Sequence, residues 1–184
     1  MNLDELLESV PAYGRDLKLN FESLKHQSDL SEQQAWGTIA ASAIASRNAE
    51  LTQAVLAEAA THLSAPALEA AKAAAAVMGM NNVFYRFLHL TSNPNYRSIP
   101  ARLRMNAIRS HGIDPIDFEL WCAAVSAING CAACVDSHEK VVREKGLSEA
   151  SVLAAIRLAA VVHGLATVFD AERAGVNVLQ AVSA

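Results

Sequence analysis

Apolar residues recur along this chain at helical spacing, and the breaks between them fall at Pro, Gly, Asn and Ser. Residues 2–28 read as one or two amphipathic helices interrupted at Pro11 and Gly14. Ser31-Glu32-Gln33-Gln34 is a capping box, with Ser31 at the N-cap and Gln34 at N3, and opens a helix to about Ser46. A further helix covers Ala49 to His62. Ser64, with Pro66 tolerated in the first turn, caps one that reaches Met78. A kink near Gly79 then leads into a helical piece over Asn81–Leu90. Residues 91–100, TSNPNYRSIP, form the clearest loop. After it the pattern predicts a basic helix carrying Arg102, Arg104 and Arg109 and ending at His111-Gly112. Asp114 and Pro115 supply N-cap and N1 of the next helix, stapled by Ile113 and Phe118 and running to Ile128. Asn129-Gly130 is a turn, and Cys131 to Lys145 is a helix that stops at Gly146. Ser148 caps a helix to about His163, and Gly164 separates it from a final helix to the C-terminus. No two-residue alternation bounded by hairpin turns survives, so the expected fold is all-α.

The two halves of the pattern resemble each other. Ser42-Ala43-Ile44 matches Ser126-Ala127-Ile128, Leu63-Ser64 matches Leu147-Ser148, and Ala75-Ala76-Val77 matches Ala159-Ala160-Val161, each 84 residues apart. Their common register predicts a duplicated helical unit, approximately 30–90 and 113–174, within a single domain over 1–184. At that shift Cys131 and Cys134 align with Arg47 and Glu50, so only the second half can carry thiol chemistry.

Composition sharpens the picture. Hydrophobic residues make up 52% of the 184 and aromatics only 5%, which favours alanine-rich helices packed closely. The formal charge of −4 argues against a nucleic-acid surface. No apolar run reads as long and uninterrupted enough for a membrane span, and the acidic start Met1-Asn2-Leu3-Asp4-Glu5 lacks the basic region of a signal peptide. The expectation is a cytoplasmic protein without a membrane or nucleic-acid partner. In that reducing setting a C-x-x-C pair points to catalysis or metal binding rather than to a structural bridge.

Candidate chemistry gathers between residues 119 and 138. Cys131, Cys134 and His138 fall on one helix face. A helix starting at the turn puts both thiols at its positive end, where thiolate is favoured over thiol. Cysteines three apart at a helix start come close to the geometry of a disulfide, so the pair can cycle between dithiol and disulfide with little backbone movement. His138 can take the proton or stabilise the thiolate. Glu119 shares a face with Cys122, Ala123 and Ser126, an unusual place for a carboxylate, and is either a general base or a first-turn residue favouring the helix dipole. Cys122 reads as a packed core thiol and His163 as a cap or packing residue, while His26, His62, His89 and His111 carry no assigned role. Zinc is the rival occupant, with Cys131, Cys134 and His138 as ligands and Glu119 as the fourth, although a split site is more usual than ligands crowded into two turns.

The run Ser126-Ala-Ile-Asn-Gly-Cys-Ala-Ala-Cys-Val-Asp-Ser-His138, with Glu119 twelve residues before Cys131, resembles the alkyl hydroperoxidase D (AhpD) family of the carboxymuconolactone decarboxylase-like superfamily. The resemblance extends along nearly the whole chain, including Ala43-Ile44-Ala45-Ser46-Arg47-Asn48. It implies an AhpD-like all-helical homo-oligomer, typically a trimer. It also implies reduction of organic hydroperoxides with no tightly bound cofactor, using electrons from dihydrolipoyl groups on a 2-oxoacid dehydrogenase component, and regeneration of the peroxiredoxin AhpC. Carried over by position, Cys134 is the peroxide-attacking thiol that passes through sulfenic acid. Cys131 donates a proton and then closes the disulfide, and Glu119 and His138 form the proton relay. Some relatives carry a histidine immediately before the second cysteine; Ala133 stands here, so no relay runs through that position. The alternatives are a general dithiol–disulfide oxidoreductase, a carboxymuconolactone decarboxylase-like enzyme, which has no need of the C-x-x-C, and a non-catalytic helical module, which leaves the thiols unexplained.

Overall fold

Most helices start where a short polar side chain can take up a free backbone N–H. In the computed structural model, which describes residues 1–182 and the side chains through Gly175, Asn2 caps α1 (Leu3–Glu8). A short 3-10 turn over Ala12–Gly14 leads into α2 (Arg15–Leu24). Ser31 and Gln34 form the expected reciprocal box at the start of α3 (Glu32–Ser46). Asn48 caps α4 (Ala49–His62), Ser64 caps α5 (Ala65–Leu90), and Asp114 caps α6 (Pro115–Ile128). Then come α7 (Ala132–Glu144) and α8 (Glu149–Val182), whose first turn is bonded by Ser148 Oγ. Among the described residues there is no strand, and the all-α expectation holds.

α3 is the central helix: it packs against α4, α5, α6 and α8. Almost every side chain from Ala35 to Ala43 is buried, which explains why this stretch is apolar all round rather than striped. Its small residues let neighbours come close. The indole of Trp121 lies against α3 at Gly37, and its Nε1 donates to the Gln34 carbonyl at 3.2 Å. Ile39, Phe118, Val125, Leu158, Val162 and Leu165 complete the core around this contact.

Three expectations change. α5 runs unbroken through Gly79, because burial of Ala74, Ala75, Val77 and Met78 outweighs the glycine's cost of about 1 kcal/mol. α8 likewise continues through Gly164, carried by buried Val162, Leu165 and Ala166, so no separate final helix exists; residues 183–184 lie outside the described residues. The basic helix after the loop is absent. Residues 101–105 are irregular, Arg102 has φ +50°, and only Asn106–Ile108 makes a 3-10 turn. This stretch buries no side chain, and a short helix without a buried face is not stable.

The membrane argument also needs correcting. Glu149–Gly175 is long and apolar enough, by length and composition, to cross a bilayer. The protein instead packs α8 against α2, α3 and α6, so its apolar character is that of a core helix.

The helix starts carry the internal register. α3, α4 and α5 begin at 32, 49 and 65, and α6, α7 and α8 at 115, 132 and 149, offsets of 83, 83 and 84. At 83, Cys131 stands opposite Asn48 and Cys134 opposite Leu51, not opposite Arg47 and Glu50. Arg47 and Gly130 then share the left-handed turn position, with φ of +63° and +67°.

Candidate active site

The α6–α7 turn sets the position of the cysteines. α6 ends at Ile128, and Gly130 takes a positive φ that a side chain would strain. The Cys131 amide then reaches back to the Ser126 carbonyl at 3.1 Å. Cys131 becomes the N-cap of α7, and its side chain makes no cap hydrogen bond, unlike Asn48 at the start of α4. No side chain therefore neutralises the positive end of α7 beside the two sulfurs. Cys131 and Cys134 are joined in a disulfide, with Cα atoms 5.3 Å apart, and both are buried. Among the described residues, no three His, Cys, Asp or Glu side chains gather as a metal-binding group, and both cysteines are engaged in the disulfide.

A polar ladder ties this turn to α5. Arg86 donates to the Asn129 carbonyl. Asn129 Nδ2 donates to Asn82 Oδ1 at 2.9 Å, and Asn82 Nδ2 donates to Ser126 Oγ at 2.9 Å. Ser126 in turn points its hydroxyl at Met78 Sδ, 3.5 Å away. In the sequence pattern Asn129 marks only a turn and Ser126 only the face shared with Glu119, and the ladder between them and α5 is not legible there. The available signal was Asn81-Asn82, two adjacent amides that follow the apolar run from Ala73 to Met80 in α5 and must find partners if they are buried.

Glu119 and His138 meet across α6 and α7. The Glu119 carboxylate lies 2.6 Å from His138 Nδ1, and both side chains are more than four-fifths buried. An ionised Glu119 accepts from Nδ1–H and leaves Nε2 as the nitrogen that exchanges a proton, the arrangement of a base held by an orienting carboxylate. Nε2 faces Met78 Sδ at 3.2 Å. With the proton on Nδ1, Nε2 and the thioether are both acceptors, so no hydrogen bond ties Nε2 to Met78 and it is free to meet another partner.

These groups share one cavity of about 420 Å³. Cys134, His138 and Glu119 line it, together with Asn81, Tyr85 and a mostly apolar wall that includes Met78, Met105, Ile108 and Val141. Ala133 also borders it, with no ring nitrogen to offer at that position. Cys131 is not on this wall. It borders a separate hollow of about 250 Å³ with Arg86, His89, Leu90 and Asp136. The disulfide thus presents its two sulfurs to different surroundings.

The remaining residues settle into structural roles. Cys122 is fully buried and unpaired, as expected of a core thiol. Burial pushes its pKa well above the ordinary thiol value, and the charge of nearby Glu119 adds to the effect. His163 sits within α8, not at a helix end, and its Nδ1 meets Ser46 Oγ at 3.2 Å. His62 stacks on Trp36, and His111 on Phe118.

This geometry can be compared with known proteins. Residues 94–176 match the carboxymuconolactone decarboxylase family. Over 172 residues the chain is 64% identical to the alkyl hydroperoxide reductase AhpD of Solibacter usitatus, covering 94% of this chain and 97% of the relative. The chain belongs to the AhpD family. The AhpD proteins of Acidobacterium capsulatum and Koribacter versatilis are 59% and 58% identical, each over 94% of this chain and over 95% and 89% of their own lengths. AhpD membership makes this chain an oxidoreductase of the alkyl hydroperoxide reductase family. It also fits the helical fold described above.

Proposed function

We propose that this protein reduces alkyl hydroperoxides through a Cys131/Cys134 dithiol–disulfide cycle. The single observation that carries the reading is the shared cavity, in which one sulfur of a disulfide, an oriented histidine and an apolar wall meet. In the reduced protein the Cys134 thiolate attacks the terminal peroxide oxygen. The O–O bond breaks, the alkoxide takes a proton and leaves as alcohol, and Cys134 becomes a sulfenic acid. Cys131 supplies that proton and then, as thiolate, attacks the Cys134 sulfur. The disulfide closes and hydroxide leaves as water after taking a second proton. The Glu119–His138 pair moves protons between the cavity and the thiols.

Two electrons must return. Dihydrolipoyl groups on a 2-oxoacid dehydrogenase component supply them as cosubstrate, each oxidised to its cyclic disulfide as Cys131–Cys134 is reduced. The same dithiol passes electrons to the peroxiredoxin AhpC by thiol–disulfide exchange. The protein works in the cytoplasm, without nucleic-acid or membrane partners, as a homo-oligomer, a trimer or a multiple of it. Val83, Phe87 and Leu90 support assembly: they are exposed and spaced along one face of α5. The repeat halves, 30–90 and 113–174, descend from one duplicated unit within a single domain, as the helix offsets suggest.

The test begins with fully reduced protein and one equivalent of cumene hydroperoxide. Two thiols should disappear, and peptide mapping should recover a Cys131–Cys134 bridge. Steady-state consumption of the hydroperoxide should then depend on dihydrolipoamide. A native bridge involving Cys122 rejects the cycle. Disulfide exchange without peroxide consumption assigns the protein to general dithiol–disulfide oxidoreductases instead.

A further inference from the structure

Asn81 stands on the wall of the active cavity with its amide unused. It is 4% exposed, and it borders the same space as Cys134, His138 and Glu119. Its Oδ1 is enclosed and has no hydrogen-bond partner. Its neighbour Asn82 is equally buried but is fully engaged, donating to Ser126 and accepting from Asn129. Oδ1 is an acceptor shut away from the cavity, and Nδ2, which makes no hydrogen bond among the described residues and is not shut away with it, is the donor left for a ligand. Apart from Asn81, Glu119, His138 and the hydroxyls of Tyr85 and Ser137, the wall around Cys134 offers only the carbon and sulfur of Met78, Met105, Ile108, Ala133 and Val141.

We propose that Asn81 recognises the hydroperoxide group and holds it for attack by Cys134. This assignment rests on the peroxidase reading given above. The amide N–H donates to the inner peroxide oxygen, the one that carries the alkyl group, while the alkyl chain lies along Met105, Ile108 and Val141. When the Cys134 thiolate attacks the terminal oxygen, the O–O bond electrons move onto the inner oxygen. The negative charge therefore develops on the atom that Asn81 holds, and a donor placed there strengthens its bond in the transition state. The alkoxide then takes its proton from the Cys131 thiol, and alcohol leaves. Asn81 itself neither gains nor loses a proton. His138 and Glu119 cannot substitute for it, since they act on the thiol side of the reaction.

The test uses the full-length protein with Asn81→Leu, which keeps the volume and removes both amide ends, and Asn81→Ala, which cannot clash if the larger side chain disturbs folding. Two rates are measured on each reduced variant. The first is single-turnover oxidation by cumene hydroperoxide. The second is alkylation of Cys134 by iodoacetamide, which needs the same thiolate but contains no peroxide oxygen. Loss of a preorganised donor to a developing oxyanion predicts a fall of about 10²-fold in the first rate. Alkylation should stay within about twofold of wild type. The ratio of the two rates decides: a fall of tenfold or more in either folded variant supports the assignment. A smaller change overturns it, including the case in which both rates fall together because Asn81 only positions Cys134. If wild-type protein alkylates at Cys134 but consumes no hydroperoxide, the failure lies with the peroxidase reading and not with Asn81.

Discussion

Replacing Glu119 with Gln tests the proton relay with almost no change of shape. The carboxylate oxygen now 2.6 Å from His138 Nδ1 becomes an amide group that can still accept one hydrogen bond. The ring therefore stays in place, but the carboxylate that can accept a proton beside it is gone. A charge-assisted bond is roughly twice as strong as a neutral one, so the change costs about 1 kcal/mol of stability. For a protein of this length that lowers Tm by about 2–4 °C. Activity should respond far more, because general acid–base catalysis is worth about 10²–10⁴-fold. Turnover of cumene hydroperoxide with dihydrolipoamide at pH 7 should fall by about 10²-fold or more, while circular dichroism stays helical. His138→Gln should fall comparably. The double variant should lose less than the product of the two, since the groups act as one chain. Slow disulfide formation with a strong oxidant should persist in all three. Full turnover in Glu119→Gln would refute the relay and leave Glu119 as a structural partner of His138.

Cys122 should stay silent. Burial and Glu119 raise its pKa, so it remains a neutral thiol at pH 7 and still at pH 9, where an ordinary free cysteine is largely thiolate. A thiol reagent should therefore titrate two thiols in reduced native protein at either pH and a third only after unfolding; a third fast thiol at pH 9 contradicts the packing described. Gly37→Ala would place a Cβ 2.0 Å from Trp121 Cζ2 and 2.1 Å from Cε2, on a ring that has no exposed surface. Overpacking of this severity costs about 3 kcal/mol, or roughly 6–12 °C in Tm by thermal melting. It should also reduce peroxidase turnover, because Trp121 and Glu119 share α6; an unchanged Tm would show that α3 and α6 separate freely.

Local chemistry made most of the fold legible in the sequence. Capping residues act within a few positions of themselves, and so Ser31, Ser64, Asp114 and Ser148 announced their helices without knowledge of any neighbour. Helical spacing likewise put Cys134 and His138 on one side of α7, and the family pattern pointed to Glu119, whereas Cys131 sits at the N-cap beside a separate hollow. Glycine misled at positions 79 and 164, because a single residue's propensity of about 1 kcal/mol is smaller than the burial of its surroundings. Arginine-rich residues 102–109 misled in the opposite sense: their spacing is helical, but nothing covers them. The rest of the site depends on residues distant in sequence. The approach of α5 to the α6–α7 turn brings Met78 to His138, joins Arg86 and Asn82 to Asn129, and leaves Asn81 unpaired in the cavity. It also separates the surroundings of Cys131 from those of Cys134. Spacing within one helix cannot encode such contacts, since they arise only when the buried faces of three helices have chosen how to pack.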